Sequence, residues 1–391
     1  MTEAPRRARG LYVHVPFCAR ACPYCDFDFV VARRPDVEGY LAGLEREWMA
    51  RGLAPGFSTV YVGGGTPSSL GPAGLARLLA WIAPRIGGTP SEWTVELNPE
   101  HVDDASLDAL TGAGVDRISL GVQTFEHTGL HVLGRKHTAV AAQRAVERAR
   151  ARGLAVSIDL IVGWPGQSRA ALERDLAWLD ALGVRHVSVY ALTIEPGTPW
   201  EALVRRGRRS VPDPDAQADA LELVAERLAA WEHYEVASYA RDGQRARHNL
   251  GYWRWADYVG LGPSAASARF EGGRVHRRTA IRGLADWLAD PLAGEEEVLT
   301  GTRAAAEGLW TGLRCLEGVD LGPGSAFWTT FPAVDRAWVV ARTADHVARG
   351  NLEWVADGAV LRVRPERWMW HDEVAAALLD DPATTTAENP C

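Results

Sequence analysis

The chain has 391 residues, more than most single domains, so its length favours one large domain together with a smaller one. Hydrophobic residues make up 47% of it, which excludes a disordered chain. The formal net charge of -8, with Lys and Arg scattered along the sequence, argues against nucleic acid as the main partner.

The sequence also argues against export or membrane insertion. The most apolar stretch, residues 154–164, is too short to span a bilayer and contains Asp159. The basic start, MTEAPRRARG, is not followed by the apolar segment of a signal peptide. We therefore expect a cytoplasmic protein without a membrane span.

Short β-rich runs alternate with helical runs through the first half of the chain. We predict strands at residues 11–15, 59–62, 93–97, 117–120, 156–162 and 186–192. They are nearly continuous apolar runs, as expected for parallel strands buried on both faces. Six βα units in a row predict a parallel sheet with right-handed crossovers, either open or closed into a barrel.

The intervening helices begin and end at typical signals. Gly71-Pro72 begins one amphipathic helix, Ser168 begins another that stops at Gly183, and Asp213-Pro214 caps a long third helix. After residue 263 the pattern changes to helical segments and one hairpin at residues 352–355 and 360–363. We predict a boundary between residues 1–262 and a smaller α-rich domain at residues 263–391.

Three of the five cysteines fall within eight residues, as Cys18, Cys22 and Cys25 in a C-x3-C-x2-C pattern. In a chain without a signal peptide, this clustering indicates metal or cluster ligation. Three thiolates can hold three irons of a cubane and leave the fourth iron open. A zinc site would need a fourth ligand, for which His14 is the nearby candidate, so the spacing favours a cluster.

The two remaining cysteines are isolated. Cys315 lies in an apolar helical stretch and is expected to be a small buried hydrophobe. Cys391 ends a polar tail that we expect to be disordered.

The cysteine run, with Tyr24 just before the third cysteine, resembles the signature of the radical S-adenosylmethionine (SAM) superfamily. The glycine run GGGTP at residues 63–67 strengthens the resemblance, since glycines let the backbone approach a ligand closely. Further segments resemble the oxygen-independent coproporphyrinogen III oxidase family: ELNPE (96–100), GVQTF (121–125), LGRKH (133–137), IDLIVGWPGQ (158–167), YALTIEPGTP (190–199) and RHNLGYW (247–253).

The resemblance implies a fold and a set of cofactors. The fold would be a partial (β/α)6 TIM-like barrel, with a [4Fe–4S] cluster on Cys18, Cys22 and Cys25. One electron from a donor would let the cluster cleave SAM to a 5′-deoxyadenosyl radical. Tyr12, Gly64 and Glu96 match the residues that hold the cluster-bound SAM. The positions that hold a second SAM in the oxidase are matched by Gly65, Thr66, Gln123, Arg135, Asp159 and Ala191.

The chain departs from the oxidases in two ways. The oxidases share a fourth cysteine two positions after the third, and this chain has Phe27 at that position. They also carry a long segment before the first strand, whereas this chain reaches Tyr12 almost at once. In both features the chain resembles the HemW-type subfamily, whose members are described as heme chaperones.

The motif HNLGYW at residues 248–253 is shared with that subfamily and associated there with heme. His248 is accordingly predicted to bind heme iron, although a histidine bonded to its surroundings is an equal alternative. The histidine that relatives carry in the turn that follows is missing from GPSAAS at residues 262–267.

Two classes of function therefore remain open. The leading prediction is a heme chaperone that binds heme and transfers it to an unknown acceptor protein. The alternative is a radical SAM enzyme. Phe27 disfavours a coproporphyrinogen oxidase, while Gln123, Arg135 and Asp159 keep open a methyltransferase in which a second SAM donates carbon.

Overall fold

The structure, a computed structural model, describes residues 9–379. The strands are β1 (Arg9–Val15), β2 (Phe17–Cys18), β3 (Val30–Val31), β4 (Thr59–Gly64), β5 (Glu92–Leu97), β6 (Arg117–Gln123), β7 (Ala155–Val162), β8 (His186–Ala191), β9 (Glu232–Glu235), β10 (Ser238–Ala240), β11 (Asp257–Leu261), β12 (Ala266–Glu271), β13 (Arg274–Ala280), β14 (Gly294–Thr300), β15 (Val319–Asp320), β16 (Leu352–Val355) and β17 (Val360–Val363).

The helices of the same residues lie mostly between these strands. They are α1 (Val37–Ala50), α2 (Gly71–Ile86), α3 (Asp104–Ala113), α4 (His127–Val132), α5 (Ala139–Ala151), α6 (Arg169–Ala181), α7 (Pro199–Arg205), α8 (Pro214–Arg227), α9 (Arg247–Trp253), α10 (Leu284–Ala289), α11 (Gly301–Leu313), α12 (Ala326–Thr330), α13 (Arg336–Ala348) and α14 (His371–Leu379). None of them is long and apolar enough to cross a membrane.

The six predicted strands form the centre of one large sheet. The order β1-β4-β5-β6-β7-β8 is parallel throughout, and helices connect the successive strands. This is the partial (β/α)6 arrangement that the sequence predicts. The predicted helix starts at Gly71, Ser168 and Asp213 are confirmed, the last two as side-chain caps of α6 and α8.

The two faces of the central strands differ in chemistry. Leu11, Val13, Val60 and Val62 point outward and are fully buried, in the same core as the apolar face of α2. The alternate positions point inward and are largely polar, as in Ser157 and Asp159 of β7. The predicted burial of both faces of the strands is therefore confirmed, but the inner face is polar rather than part of a continuous apolar run.

The sheet continues on both sides of the central strands. At one edge β11 pairs in parallel with β1, and β12, β13 and β14 follow as antiparallel neighbours. Residues 266–300 thus add strands to the barrel sheet on the far side of the boundary predicted after residue 262. That boundary stays a prediction, but a hydrogen-bonded sheet crosses it.

The rest of the C-terminal region is mainly helical and has its own core. Leu309, Phe327, Val339 and Leu361 belong to this second cluster, which packs α11 to α14 against the small sheet β15-β17-β16. The predicted hairpin is confirmed as β16 and β17. Cys315 is buried as expected, with 2% of its surface exposed, whereas Cys391 lies outside the described residues.

A buried carboxylate on α1 joins the barrel to the added strands. Glu47 accepts hydrogen bonds from the Gly262 N–H at 2.9 Å and from the Trp287 indole at 3.2 Å. It also pairs with Arg51 at 2.9 Å and Arg278 at 3.5 Å. Because Glu47 is fully buried, these partners replace water around its charge.

We expect Glu47→Ala to lower the free energy of unfolding by about 3–5 kcal/mol, because it removes the carboxylate that pairs with two largely buried arginines. Urea denaturation of the purified protein measures this. Glu38→Ala is the matched control on the same helix: the Glu38 side chain is 62% exposed, and its loss should cost about 0.5 kcal/mol or less. Equal losses for the two variants would contradict the assignment.

Candidate functional site

A cavity of about 540 Å³ opens at the carboxyl ends of the central strands, and we call it the cluster cavity. Of the thirteen predicted site residues, eleven line it: Cys18, Cys22, Cys25, Gly64, Gly65, Thr66, Glu96, Gln123, Arg135, Asp159 and Ala191. They come from seven separate segments of the sequence. The carboxyl end of a barrel is where such folds bind ligands.

The loop after β1 carries the three cysteines to the mouth of the cavity. All three are free thiols. The Cys18 sulfur lies 3.4 Å from the Thr66 hydroxyl, and Arg135 Nη1 lies 3.5 Å from the Cys22 sulfur. Burial raises the pKa of Cys18 and of Cys25 to about 11, so metal binding must displace their protons.

The donor set of this loop fits a cluster better than a zinc ion. His14 Nε2 donates to the Asp28 carbonyl at 2.7 Å, and Nδ1 accepts from the Tyr12 hydroxyl at 3.1 Å, so neither nitrogen is free as a fourth ligand. Within residues 9–379, no three His, Cys, Asp or Glu side chains lie close enough to hold one metal ion. A cubane spaces its thiolates more widely, because each one binds a different iron.

The glycine run brings bare backbone to the cavity wall beside a carboxyl group. Gly64 has φ +107°, and a Cβ there would lie 2.7 Å from the His14 ring. Next to it, Glu96 accepts from the Tyr61 hydroxyl at 2.7 Å and from the Gly64 N–H. Burial raises the pKa of Glu96 to about 7 despite these bonds, so a cationic ligand would favour its ionised form.

Gln123 is held in an unusual conformation at the end of β6. Its φ is +68°, and the pairing of β6 with β7 shifts register just before it. Asp175 of α6 anchors the next two residues, accepting from the Thr124 hydroxyl at 2.6 Å and the Phe125 N–H at 2.7 Å. Asp175 therefore positions Gln123 without lining the cavity itself.

Arg135 and Asp159 bring opposite charges to the same wall. Arg135 donates to the Asn98 side chain at 2.5 Å and to the Gly121 carbonyl at 2.7 Å, while its buried Nε has no hydrogen-bond partner within residues 9–379. Asp159 accepts from the Ser119 hydroxyl at 3.0 Å, and burial raises its pKa to about 6. An amino-acid ligand, with an amine and a carboxylate, suits this pair of charges.

Tyr12 does not line the cluster cavity. It lies in a smaller adjoining pocket of about 230 Å³, whose lining shares Asp26, Phe27 and Gly64 with the cavity. The centre of the Tyr12 ring is 6.2 Å from that of Tyr61, which does line the cavity, so Tyr12 lies directly behind the cavity wall.

His248 lies in α9 beneath the barrel and does not line the cavity, although Ala246 and Asn249 beside it in the chain do. It is 2% exposed, with Nδ1 at 2.9 Å from the Thr59 hydroxyl and Nε2 at 2.7 Å from the Tyr252 hydroxyl. Burial lowers the pKa of His248 to about 3. Because both ring nitrogens are occupied, this geometry does not support the predicted heme-iron ligand, and we interpret His248 as part of the barrel floor.

Sequence reasoning missed several residues of the cavity wall. Tyr61, Asn98 and Ser119 bond to predicted residues, and Ser157, Ser188, Tyr190 and Asn249 also belong to the polar lining. Their signal is the two-residue period, since polar side chains recur at every second position of β6, β7 and β8. Asp175 had a weaker signal, an acidic residue within the apolar stripe of α6.

Comparison with known proteins agrees with this geometry. The model of the radical SAM superfamily matches residues 12–179. The coproporphyrinogen III oxidase HemN of Escherichia coli, described as a radical SAM enzyme, has the same fold: the TM-score is 0.79 at 21% identity, covering 96% of this chain and 91% of that one. Residues 12–179, which carry the three-cysteine loop, thus match the radical SAM class of proteins.

Several curated proteins that are similar to this chain belong to one family within this class. A relative from Bacillus subtilis named heme chaperone HemW is 34% identical over 80% of this chain and 84% of its own length. Relatives of the same name from Mycobacterium tuberculosis and Escherichia coli are 41% and 37% identical, over 68% and 70% of this chain and 70% and 74% of their own lengths. The chain belongs to the HemW family.

We expect replacement of any one of Cys18, Cys22 or Cys25 by Ala to abolish the [4Fe–4S] cluster formed on anaerobic reconstitution, because a cubane needs all three loop thiolates. Iron and sulfide analysis with the visible absorption spectrum measures the cluster. Cys315→Ala, at the buried isolated thiol, is the control and should retain it. A full cluster in any of the three loop variants would refute the assignment.

The raised pKa of Glu96 predicts a pH-dependent stability of the cofactor-free protein. The folded state keeps the Glu96 proton up to pH about 7, whereas the ordinary value is 4.5, so the folded state loses stability as pH rises between these values. Relative to Glu96→Gln, the wild type should lose about 3 kcal/mol of unfolding free energy between about pH 5 and about pH 8.

Urea unfolding of both proteins across that range provides the measurement. Below about pH 5 the difference between the two proteins should be small, because the wild-type carboxyl is then also protonated. A difference that stays constant with pH would show that Glu96 ionises freely.

Proposed function

We propose that this chain is a heme chaperone that binds heme and delivers it to an acceptor protein. The observation that carries the proposal is the match to relatives named heme chaperone HemW over most of the chain. The cysteine loop supports it, because Phe27 stands where an oxidase would need its fourth cysteine. Phe27 is 60% exposed at the rim of the cluster cavity.

In this proposal the residues of the cluster cavity hold cofactors. Cys18, Cys22 and Cys25 would bind the cluster, and Tyr12, Gly64 and Glu96 the SAM on its open iron. Gly65, Thr66, Gln123, Arg135, Asp159 and Ala191 would hold a second SAM. When bound and reduced by an external electron donor, the cluster supplies the reductive cleavage of SAM.

The side chains of the chain itself would bind and orient these groups. Arg135 can pair its guanidinium with a carboxylate, and Asp159 can accept from an amine or ribose hydroxyls. The glycine backbone admits the ligand closely, and the barrel floor excludes water from below. Free, clustered thiols also support a reducing, cytoplasmic location as part of the proposal.

We expect the reconstituted protein to bind heme at about one equivalent per monomer and to pass it to an added heme-free acceptor. A Soret band in titration and its transfer on mixing with apomyoglobin are the readouts. His248→Gln should leave the Soret maximum unchanged, because the imidazole is buried in the floor. A shifted maximum in that variant would restore His248 as the iron ligand.

The competing function, coproporphyrinogen III oxidation, is tested with the same reconstituted protein. Under anaerobic reducing conditions with SAM, coproporphyrinogen III should not be converted to protoporphyrinogen IX, as followed by chromatography. Conversion together with no heme binding would replace the chaperone proposal by an oxidase.

A further inference from the structure

A second pocket lies at the amino ends of β6, β7 and β8, at the end of the barrel opposite the cysteine loop. We call it the lower pocket; its volume is about 240 Å³. Its charged lining consists of Arg117, Arg150 and Arg185, and no Asp or Glu of the described residues lines it. Although the whole chain has a net charge of -8, the charged residues that line this pocket are all cations, so the electrostatic potential inside it is positive.

Arg117 is a buried cation without a direct ion pair. It is 4% exposed, and its Nη1 donates to the Gln244 carbonyl at 3.2 Å. The Asp159 carboxylate of the cluster cavity acts on Arg117 electrostatically, but no carboxylate of residues 9–379 lies within 4.0 Å of its guanidinium. A guanidinium taken out of water without a direct ion pair is costly, so the site is suited to an anion in contact with Arg117.

Arg150 of α5 brings a second guanidinium to the same pocket. Its Nη1 donates to the Leu182 carbonyl at 2.5 Å, and the group lies against Gly183, where a Cβ would be 2.7 Å from Nη1. Gly183 has φ +60°, so the chain turns there with no side chain to displace the arginine. Within the described part of the chain, Arg150 also lacks an ion pair.

The third arginine, Arg185, contributes less to the positive charge of the lower pocket. Arg185 pairs with Asp242 at 3.4 Å, and both side chains are mostly exposed. His186 lines the pocket too, but burial lowers its pKa well below the usual value, so it stays neutral. The unbalanced charge of the lower pocket therefore comes from Arg117 and Arg150.

We propose that the lower pocket binds a small oxyanion, a phosphate ion or the terminal phosphate group of a small metabolite, between Arg117 and Arg150. The planar guanidinium groups match a tetrahedral oxyanion through paired N–H donors. The pocket volume falls below the range of about 300–1,000 Å³ that larger ligands need, which favours a small anion.

The position of Arg117 gives this site a link to the cluster cavity. Arg117 and His186 line both the lower pocket and the cavity, so they form the wall between them. An anion bound in the lower pocket would neutralise the positive charge of Arg117, which also lines the cluster cavity. The binding site itself does not depend on the heme-chaperone proposal.

Calorimetric titration of the full-length reconstituted protein with inorganic phosphate, at constant ionic strength set with NaCl, tests the proposal. We expect saturable binding that Arg150→Gln weakens about tenfold or more, because it removes charge-assisted hydrogen bonds. Arg144→Gln is the control, since Arg144 is exposed on the same helix but does not line the lower pocket. It should bind phosphate as the wild type does.

Arg117→Gln should also weaken binding, with thermal unfolding as a check of its fold. If that buried variant does not fold, Arg150→Gln on the surface helix carries the test. Tighter binding of glycerol phosphate than of phosphate would assign the site to a phosphate ester, and equal or weaker binding to the free ion. No phosphate binding beyond chloride, or equal losses in Arg150→Gln and Arg144→Gln, would overturn the proposal.

Discussion

The two-residue alternation along six parallel strands is the constraint on which the rest of the molecule depends. Outward side chains such as Leu11 and Val62 bury against the helices and hold the sheet in its curve. Inward side chains such as Ser157, Asp159 and Glu96 are polar, yet they too are removed from bulk water. Buried polar groups need partners, so the interior must be filled by hydrogen bonds or by ligands.

Those requirements are met differently at the two ends of the barrel. At the floor, α9 closes the interior: Glu92 accepts from the backbone N–H groups of Arg247 and His248, both at 2.9 Å. At the mouth, Gln123 and Arg135 line the cluster cavity, which can admit ligands. The protein therefore provides partners for the Glu92 side of its floor from its own backbone, whereas the residues at its mouth surround a cavity.

The sequence was sufficient to predict the central strands, the helix starts and the cysteine loop, because each carries a local signal. It failed where the signal lies between distant residues. Strands β13 and β14 lie in the region that was predicted to be α-rich, and Arg277 and Glu297 pair across them at 3.0 Å. The motif at residues 248–253 likewise led to the prediction of His248 as a heme-iron ligand, because the sequence does not reveal that Thr59 and Tyr252 lie beside its nitrogens.

The strands added after residue 262 also shield the sheet. β11 pairs with β1 on one side and with β12 on the other. A fragment that ended at residue 262 would keep every cysteine of the loop but leave one edge of β11 unpaired. Unpaired edges recruit strands from other chains. Such a truncated barrel would therefore be aggregation-prone even if the loops at the carboxyl ends of its strands were intact.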